Sequence, residues 1–156
     1  WLDSGLRDSP LAATYTLNLV DHESGIDDNE TGTTAAITAF VESSDFDLDD
    51  GHKFMHINRI IPDITFDGST ATNPVVTMTL NPMTNSGSGR HSPASVGGVA
   101  NATVTRTATS PVEVFTDQIN IRVRGRQLSM KLESSAEGVT WQLGSPRLDM
   151  RPDGRR

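Results

Sequence analysis

Between Ile119 and Glu133 the apolar residues change parity once, and that change restricts the folds open to this chain more than any other stretch. Side chains on a strand alternate between faces, so Ile119, Ile121 and Val123 share one face while Asn120, Arg122 and Arg124 share the other. Beyond Gly125 the apolar set moves to Leu128, Met130 and Leu132, with Gln127, Ser129, Lys131 and Glu133 facing away. One regular strand would put half of these apolar groups in water. Gly125 is therefore expected to be a bulge or sharp bend that absorbs one residue, glycine permitting the positive φ this needs.

The rest of the chain reads the same way. Threonine is abundant, 18 of 156 residues, and Val and Ile recur in short runs broken by Gly, Pro, Asn and Asp. These β-branched residues pack well on a pleat, and no stretch sustains a 3.6-residue apolar period. Strands are predicted over residues 13–20, 35–41, 53–61, 75–80, 102–107, 112–115, 119–133 and 139–150, the last two interrupted. The class is all-β, an antiparallel β-sandwich or propeller-blade-like sheets. Residues 81–101, rich in Gly, Ser and Pro, read as a flexible loop, and Pro62 and Pro111 should end strands or sit at edges. After a turn at residues 134–138, Val139, Trp141 and Leu143 should pair back on the preceding strand and bury the indole, with a bend at Gly144. Leu148 and Met150 should continue that apolar face, leaving Arg147, Asp149 and Arg151 outward.

At 156 residues the chain is sized for one β domain, and its opening at Trp1-Leu-Asp-Ser-Gly5 reads like the middle of a polypeptide, the C-terminal part of a longer chain. There is no cysteine, which removes disulfides, thiolate metal sites and thiol nucleophiles. No apolar run approaches the roughly 20 residues that cross a bilayer as a helix, so no membrane partner is expected. Charge is divided: residues 1–118 carry 5 Lys/Arg against 16 Asp/Glu, net −11, and residues 119–156 carry 8 against 4, net +4. Overall acidity argues against tight nonspecific DNA binding, which needs clustered cations.

The chemistry-bearing constellations are thin. Asp45, Asp47 and Asp49 alternate like oxygen ligands of a calcium loop, but the following glycine is one place late and His56 stands where a bidentate Glu is required. They are weak metal candidates, and no metal or cofactor is assigned. Asp21, Glu23, Asp27, Asp28 and Glu30 form a second acidic cluster without ligand spacing. His52 and His56 on one strand would lie about 13 Å apart, too far to share an ion. Asn85-Ser-Gly-Ser-Gly89 lacks the strand-to-helix elbow that exposes a nucleophilic serine, and no phosphate loop is present. Arg122, Arg124, Arg126, Arg147 and Arg151 are the better set, suited to clamp carboxylates of a neighbouring subunit or to contact DNA phosphate, unless they simply solvate the outer face of a hairpin; protein contact is the favoured use.

The segments Arg122-Val-Arg-Gly-Arg-Gln127, Trp141-Gln-Leu-Gly144, Arg147-Leu-Asp149 and Arg151-Pro-Asp-Gly-Arg-Arg156 resemble the closing segment of bacteriophage tail-nozzle proteins, also called tail tubular or packaged-DNA stabilisation proteins. A fainter likeness covers Asp50-Gly-His-Lys-Phe54 and Arg59-Ile-Ile-Pro-Asp-Ile-Thr-Phe66. The resemblance implies a non-enzymatic virion component assembled in the host cytoplasm: a homo-oligomeric ring of a short tail, contacting portal, adaptor or tail-fibre proteins and, transiently, packaged double-stranded DNA. It also implies roles in genome retention and ejection. Gly125, Trp141 and Gly144 are then structural positions. The rival reading is a β-sandwich carbohydrate-binding or host-adhesion module, which an exposed Trp141 would favour and a buried one would not. A hydrolase would need a concave carboxylate pair that the sequence does not display.

Overall fold

The parity change at Gly125 marks the corner where the chain passes from one sheet to another. The computed structural model describes Leu2, residues 8–83 and residues 107–154, and among these every paired strand is antiparallel and there is no helix. Strand β9 (Ile119–Gly125) lies at one edge of a three-stranded sheet, beside β5 (Met55–Ile61), which in turn pairs with β12 (Arg147–Pro152). After Arg126 the chain continues as β10 (Gln127–Ser134), the middle strand of the second sheet. There β10 pairs on one side with β7 (Val75–Met83), itself flanked by β8 (Ala108–Glu113). On its other side lie β3 (Ala39–Glu42) and β4 (Phe46–Asp47). Two short pairs complete the described strands: β1 (Leu11–Ala13) with β2 (Leu19–Asp21), and β6 (Ile64–Thr65) with β11 (Gln142–Leu143). No sheet among the described residues closes into a barrel, and the two larger sheets face each other as a β-sandwich.

The core is the inner face of both sheets. Met55, Ile57, Ile60, Ile119 and Val123 come from the three-stranded sheet, and Val76, Met78, Leu80, Val112, Leu128, Met130 and Leu132 from the other. Register explains the set: Leu132 lies opposite Met78, Met130 opposite Leu80, and Val112 opposite Val76, so residues of one parity stack on one face. Full burial of each such side chain contributes roughly 1.5–3 kcal/mol.

Gly125 departs from expectation in its reason. Its φ is not positive, and a Cβ there would fall 2.9 Å from Gln127 O, 3.0 Å from Pro82 Cβ and 3.1 Å from Met83 O. The corner needs glycine because two backbones approach closely, not because φ must be left-handed. Arg126 N–H closes the corner onto Met83 O at 2.7 Å.

Other boundaries are corrected. Residues 13–20 are not one strand but the tip of the β1–β2 hairpin, with residues 14–18 as its turn, because Thr14 and Asn18 satisfy each other locally (Thr14 N–H to Asn18 O, 3.0 Å) and Leu17 takes φ 66°. Extended pairing at residues 35–41 begins only at Ala39, since Ala35 is bridged to Asp28 instead. Val114 and Phe115 form an exposed turn after β8, while Asn81–Met83, assigned to the loop, extend β7. Of the strand expected over 102–107 only Thr107 is described, and it precedes β8 without joining it; residues 102–106 and the remainder of the 81–101 loop lie outside the described residues.

The expected hairpin between residues 139–143 and β10 does not form. Both edges of β10 are already occupied, by β7 and by β3 and β4, and β11 pairs instead with β6. Thr140 N–H donates to Ser69 Oγ at 3.0 Å, and the backbone N–H groups of Thr70 and Ala71 donate to Gly138 O. Central placement also explains why Ser129, expected to face away, is fully buried: it stands between the longer Gln127 and Lys131.

Candidate functional site

The outer face of the β12–β5–β9 sheet gathers most of the arginines singled out in the sequence. Residues opposite each other in an antiparallel pair share a face, so Arg151, His56 and Arg124 form one row across the sheet. Asp149, Arg59 and Asn120 form another. Arg147 stands opposite Ile61 at the far end, and the alternation of β9 brings Arg122 to the same face. Arg59 and His56 were not among the expected members of this surface. The reason is an irregularity near Asn58, where register shifts against both neighbours and lets Ile57 and Ile60, three apart, both point inward. A parity count from Ile57 puts Arg59 inward with it, and only the register shift brings it out.

Three of the five candidate arginines are engaged within the chain, two of them on Phe54. Arg124 lies over the Phe54 ring at 4.1 Å and donates to Asp153 Oδ2 at 2.5 Å and to the Asp153 carbonyl at 3.1 Å. Arg126 approaches the same ring at 4.9 Å and donates to His52 O at 3.2 Å. Phe54 is on the outer face, yet the guanidinium groups cover it and leave only 9% exposed. The ladder carries on past β12 beneath them, with Asp153 N–H bonded to Phe54 O and Phe54 N–H to Gly154 O. This is a clasp on residues 153–154. The exposed Arg124–Asp153 pair itself contributes only about 0–1 kcal/mol, so packing on Phe54 carries more of its effect.

Arg122, Arg147 and Arg59 are exposed, and Arg151 is 3.6 Å from Asp149. Asp149 and Asp153 stand against Arg59, Arg122, Arg124, Arg147 and Arg151 among the described residues of this face, which is therefore basic. Gly144 is held tightly elsewhere: its N–H bonds to Asp63 O at 2.8 Å, and a Cβ at this position would fall 2.7 Å from Asp63 Cγ. Trp141 is half-buried against the core. Its Nε1–H donates to Ser134 Oγ at 3.0 Å, while the ring lines a groove of about 390 Å³ with Ile26, Ile37, Ala39, Phe40, Val139 and Thr140.

The carboxylates disperse. Asp47 accepts from Gln127 Nε2, Asp49 pairs with Lys53 at 3.6 Å, and Asp50 bonds to the His52 ring. That His52 hydrogen bond, foremost, holds the Asp50 carboxyl below the usual aspartate range. His52 sits in the turn before β5, outside the strand that carries His56. Asp21, Glu23, Asp27, Asp28 and Glu30 line an open hollow of about 630 Å³, where Asp27 accepts the Gly138 N–H with both oxygens at 2.9 Å. Among the described residues no three His, Asp or Glu side chains are grouped to hold a metal ion.

Fold and surface together define the class: an antiparallel β-sandwich with one basic outer sheet face. No protein-family model matches the sequence, and no curated protein matches it.

Proposed function

We propose that this chain is a structural building block of a bacteriophage tail, docking to a neighbouring virion protein through the arginine face of the β12–β5–β9 sheet. The observation that carries the reading is the placement of Arg59, Arg122 and Arg147, three exposed guanidinium groups on one strand-built face. Planar guanidinium forks pair bidentately with carboxylates, and a rigid sheet presents them in fixed register. The acidic hollow is lined by residues between 12 and 37, none of which belongs to β5, β9 or β12. An acidic surface beside a duplex lowers sticking through like-charge repulsion, which suits a channel that DNA must traverse. The likeness of residues 122–156 to tail-nozzle proteins supplies the virion context.

A second reading, a carbohydrate-binding or adhesion module, draws on Trp141 at the rim of its groove. Against it, the indole N–H is already bonded to Ser134, and among the described residues Thr140 is the one other polar side chain lining the groove. A sugar presents many hydroxyls, and leaving them without partners is costly.

The test is the triple substitution Arg59→Glu, Arg122→Glu and Arg147→Glu. The reading expects unchanged circular dichroism and thermal stability, with loss of incorporation into particles. Full incorporation of a folded triple variant would overturn it. Glycan-dependent quenching of Trp141 fluorescence would favour adhesion.

A further inference from the structure

Aspartate is followed by glycine at three places, Asp50-Gly51, Asp67-Gly68 and Asp153-Gly154. Glycine has no Cβ to keep its backbone nitrogen away from the preceding side chain, so at each step that nitrogen can reach the aspartyl carboxyl carbon if nothing holds either group. The fold holds two of the three. Gly51 N–H bonds to Leu48 O at 3.2 Å, and the Asp50 carboxylate bonds to the His52 ring. That bond also keeps the Asp50 carboxyl below the usual aspartate range, leaving less of it in the acid form that can lose hydroxide. Asp153 is clasped through its carboxylate by Arg124, and Asp153 N–H and Gly154 O are both laddered to Phe54.

Asp67-Gly68 carries none of these restraints. Both residues are exposed and form the middle of a turn closed by Ser69 N–H to Phe66 O at 3.1 Å, with Gly68 at φ 86°. The peptide between the two central residues lies outside the closing bond of such a turn. Among the described residues neither the Asp67 carboxylate nor the Gly68 N–H has a hydrogen-bond partner, so this peptide is free to rotate toward the side chain. We propose that Asp67 is a modification site, the position at which the folded protein converts spontaneously to an isoaspartyl form.

The step balances without any co-reactant but water. Gly68 N attacks Cγ of protonated Asp67, the N–Cγ bond forms, and the amide proton leaves with the carboxyl hydroxide as water, giving a succinimide ring. Water then adds to one of the two ring carbonyls. Addition at Cγ breaks the new bond and restores aspartate. Addition at the Asp67 backbone carbonyl breaks the original peptide bond instead, so the chain now runs through Cβ and Cγ, with the former backbone carbonyl as a free carboxylate. Charge is unchanged, but one extra backbone atom enters the turn. That turn leads directly into the clamp on residues 138–140: Ser69 Oγ donates to Thr140 O at 2.7 Å, Thr140 N–H donates to Ser69 Oγ, and Thr70 and Ala71 N–H donate to Gly138 O. Lengthening it loosens the hold on the segment that carries Trp141. The inference is independent of the arginine face and of the virion reading.

The full chain, aged at neutral pH either folded or in concentrated urea, is digested, and isoaspartate is located by altered peptide retention at unchanged mass and by methyl transfer from an isoaspartyl carboxyl methyltransferase. In the folded chain it is expected at residue 67 at least about ten-fold faster than at 50 or 153, because those sites must first break hydrogen bonds, one of them to a charged partner in each case. In urea, where those bonds are gone, the three rates should converge. Asp67→Glu, whose ring would be larger and slower to close, should remove the signal at 67 and leave the circular dichroism unchanged. The aged, isoaspartyl fraction should show displaced Thr70, Ala71 and Thr140 amide resonances. Isoaspartate forming in the folded chain at residue 50 or 153 as fast as at 67, or the same preference for 67 persisting in urea, would overturn the proposal.

Discussion

Replacing Gly125 with alanine separates crowding from backbone strain at the corner that joins the two sheets. The added methyl would meet Gln127 O, Pro82 Cβ and Met83 O at 2.9–3.1 Å, and two of these are backbone atoms that cannot swing aside. Overpacking of this kind costs about 1–3 kcal/mol. Displacing Met83 O also disturbs the 2.7 Å hydrogen bond from Arg126 N–H, worth roughly another 1 kcal/mol. The expected loss is about 3 kcal/mol, or a fall in Tm of roughly 6–12 °C for a chain of this size. Urea and thermal unfolding measure it. Asparagine, which tolerates positive φ, should be no better than alanine here, because φ is not the constraint. Gly25→Ala is the control: nothing lies within 4 Å of its added methyl and its φ is not positive, so stability should hold or rise by about 0.4–1 kcal/mol. A Gly125→Ala variant within about 0.5 kcal/mol of wild type, or an Asn variant that restores stability, would refute the close-approach account.

Ser134→Ala removes the acceptor of the Trp141 indole N–H and should cost about 1 kcal/mol in urea unfolding, with a shifted indole N–H resonance. An unmoved resonance would show that the bond is not made. His52→Ala should raise the Asp50 carboxyl toward the ordinary aspartate range in an NMR titration, since the His52 hydrogen bond is the main cause of its depression. A depressed folded-state value means that this contribution is present above the ordinary carboxylate range and is lost as pH falls through the lowered midpoint.

The strand pattern was legible where one face is buried. Alternation at 119–133 placed Ile119, Val123, Leu128, Met130 and Leu132 inward and located the break at Gly125, because a one-residue slip would expose a whole apolar set. What glycine does there was not legible: a close approach to Met83 and Pro82 involves residues far away along the chain, while a φ argument uses only local sequence. The pairing of β11 was hidden for a similar reason, since adjacency in sequence favoured a hairpin and only the occupied edges of β10 forbid it. The basic face was read in part. Arg122, Arg124, Arg147 and Arg151 followed from alternation, but Arg59 reaches that face through a register shift near Asn58 that no glycine or proline announces. Whether an outward arginine is available was also invisible, because the clasp of Arg124 and Arg126 on Phe54 depends on a contact between distant strands.

The most direct measurement is a cryo-EM map of assembled particles containing this chain, resolved well enough to orient the sandwich. The account predicts that Arg59, Arg122 and Arg147 abut carboxylates of a neighbouring protein. A map in which that face is bathed in solvent while another surface makes the contact, or particles that lack the chain, would contradict it.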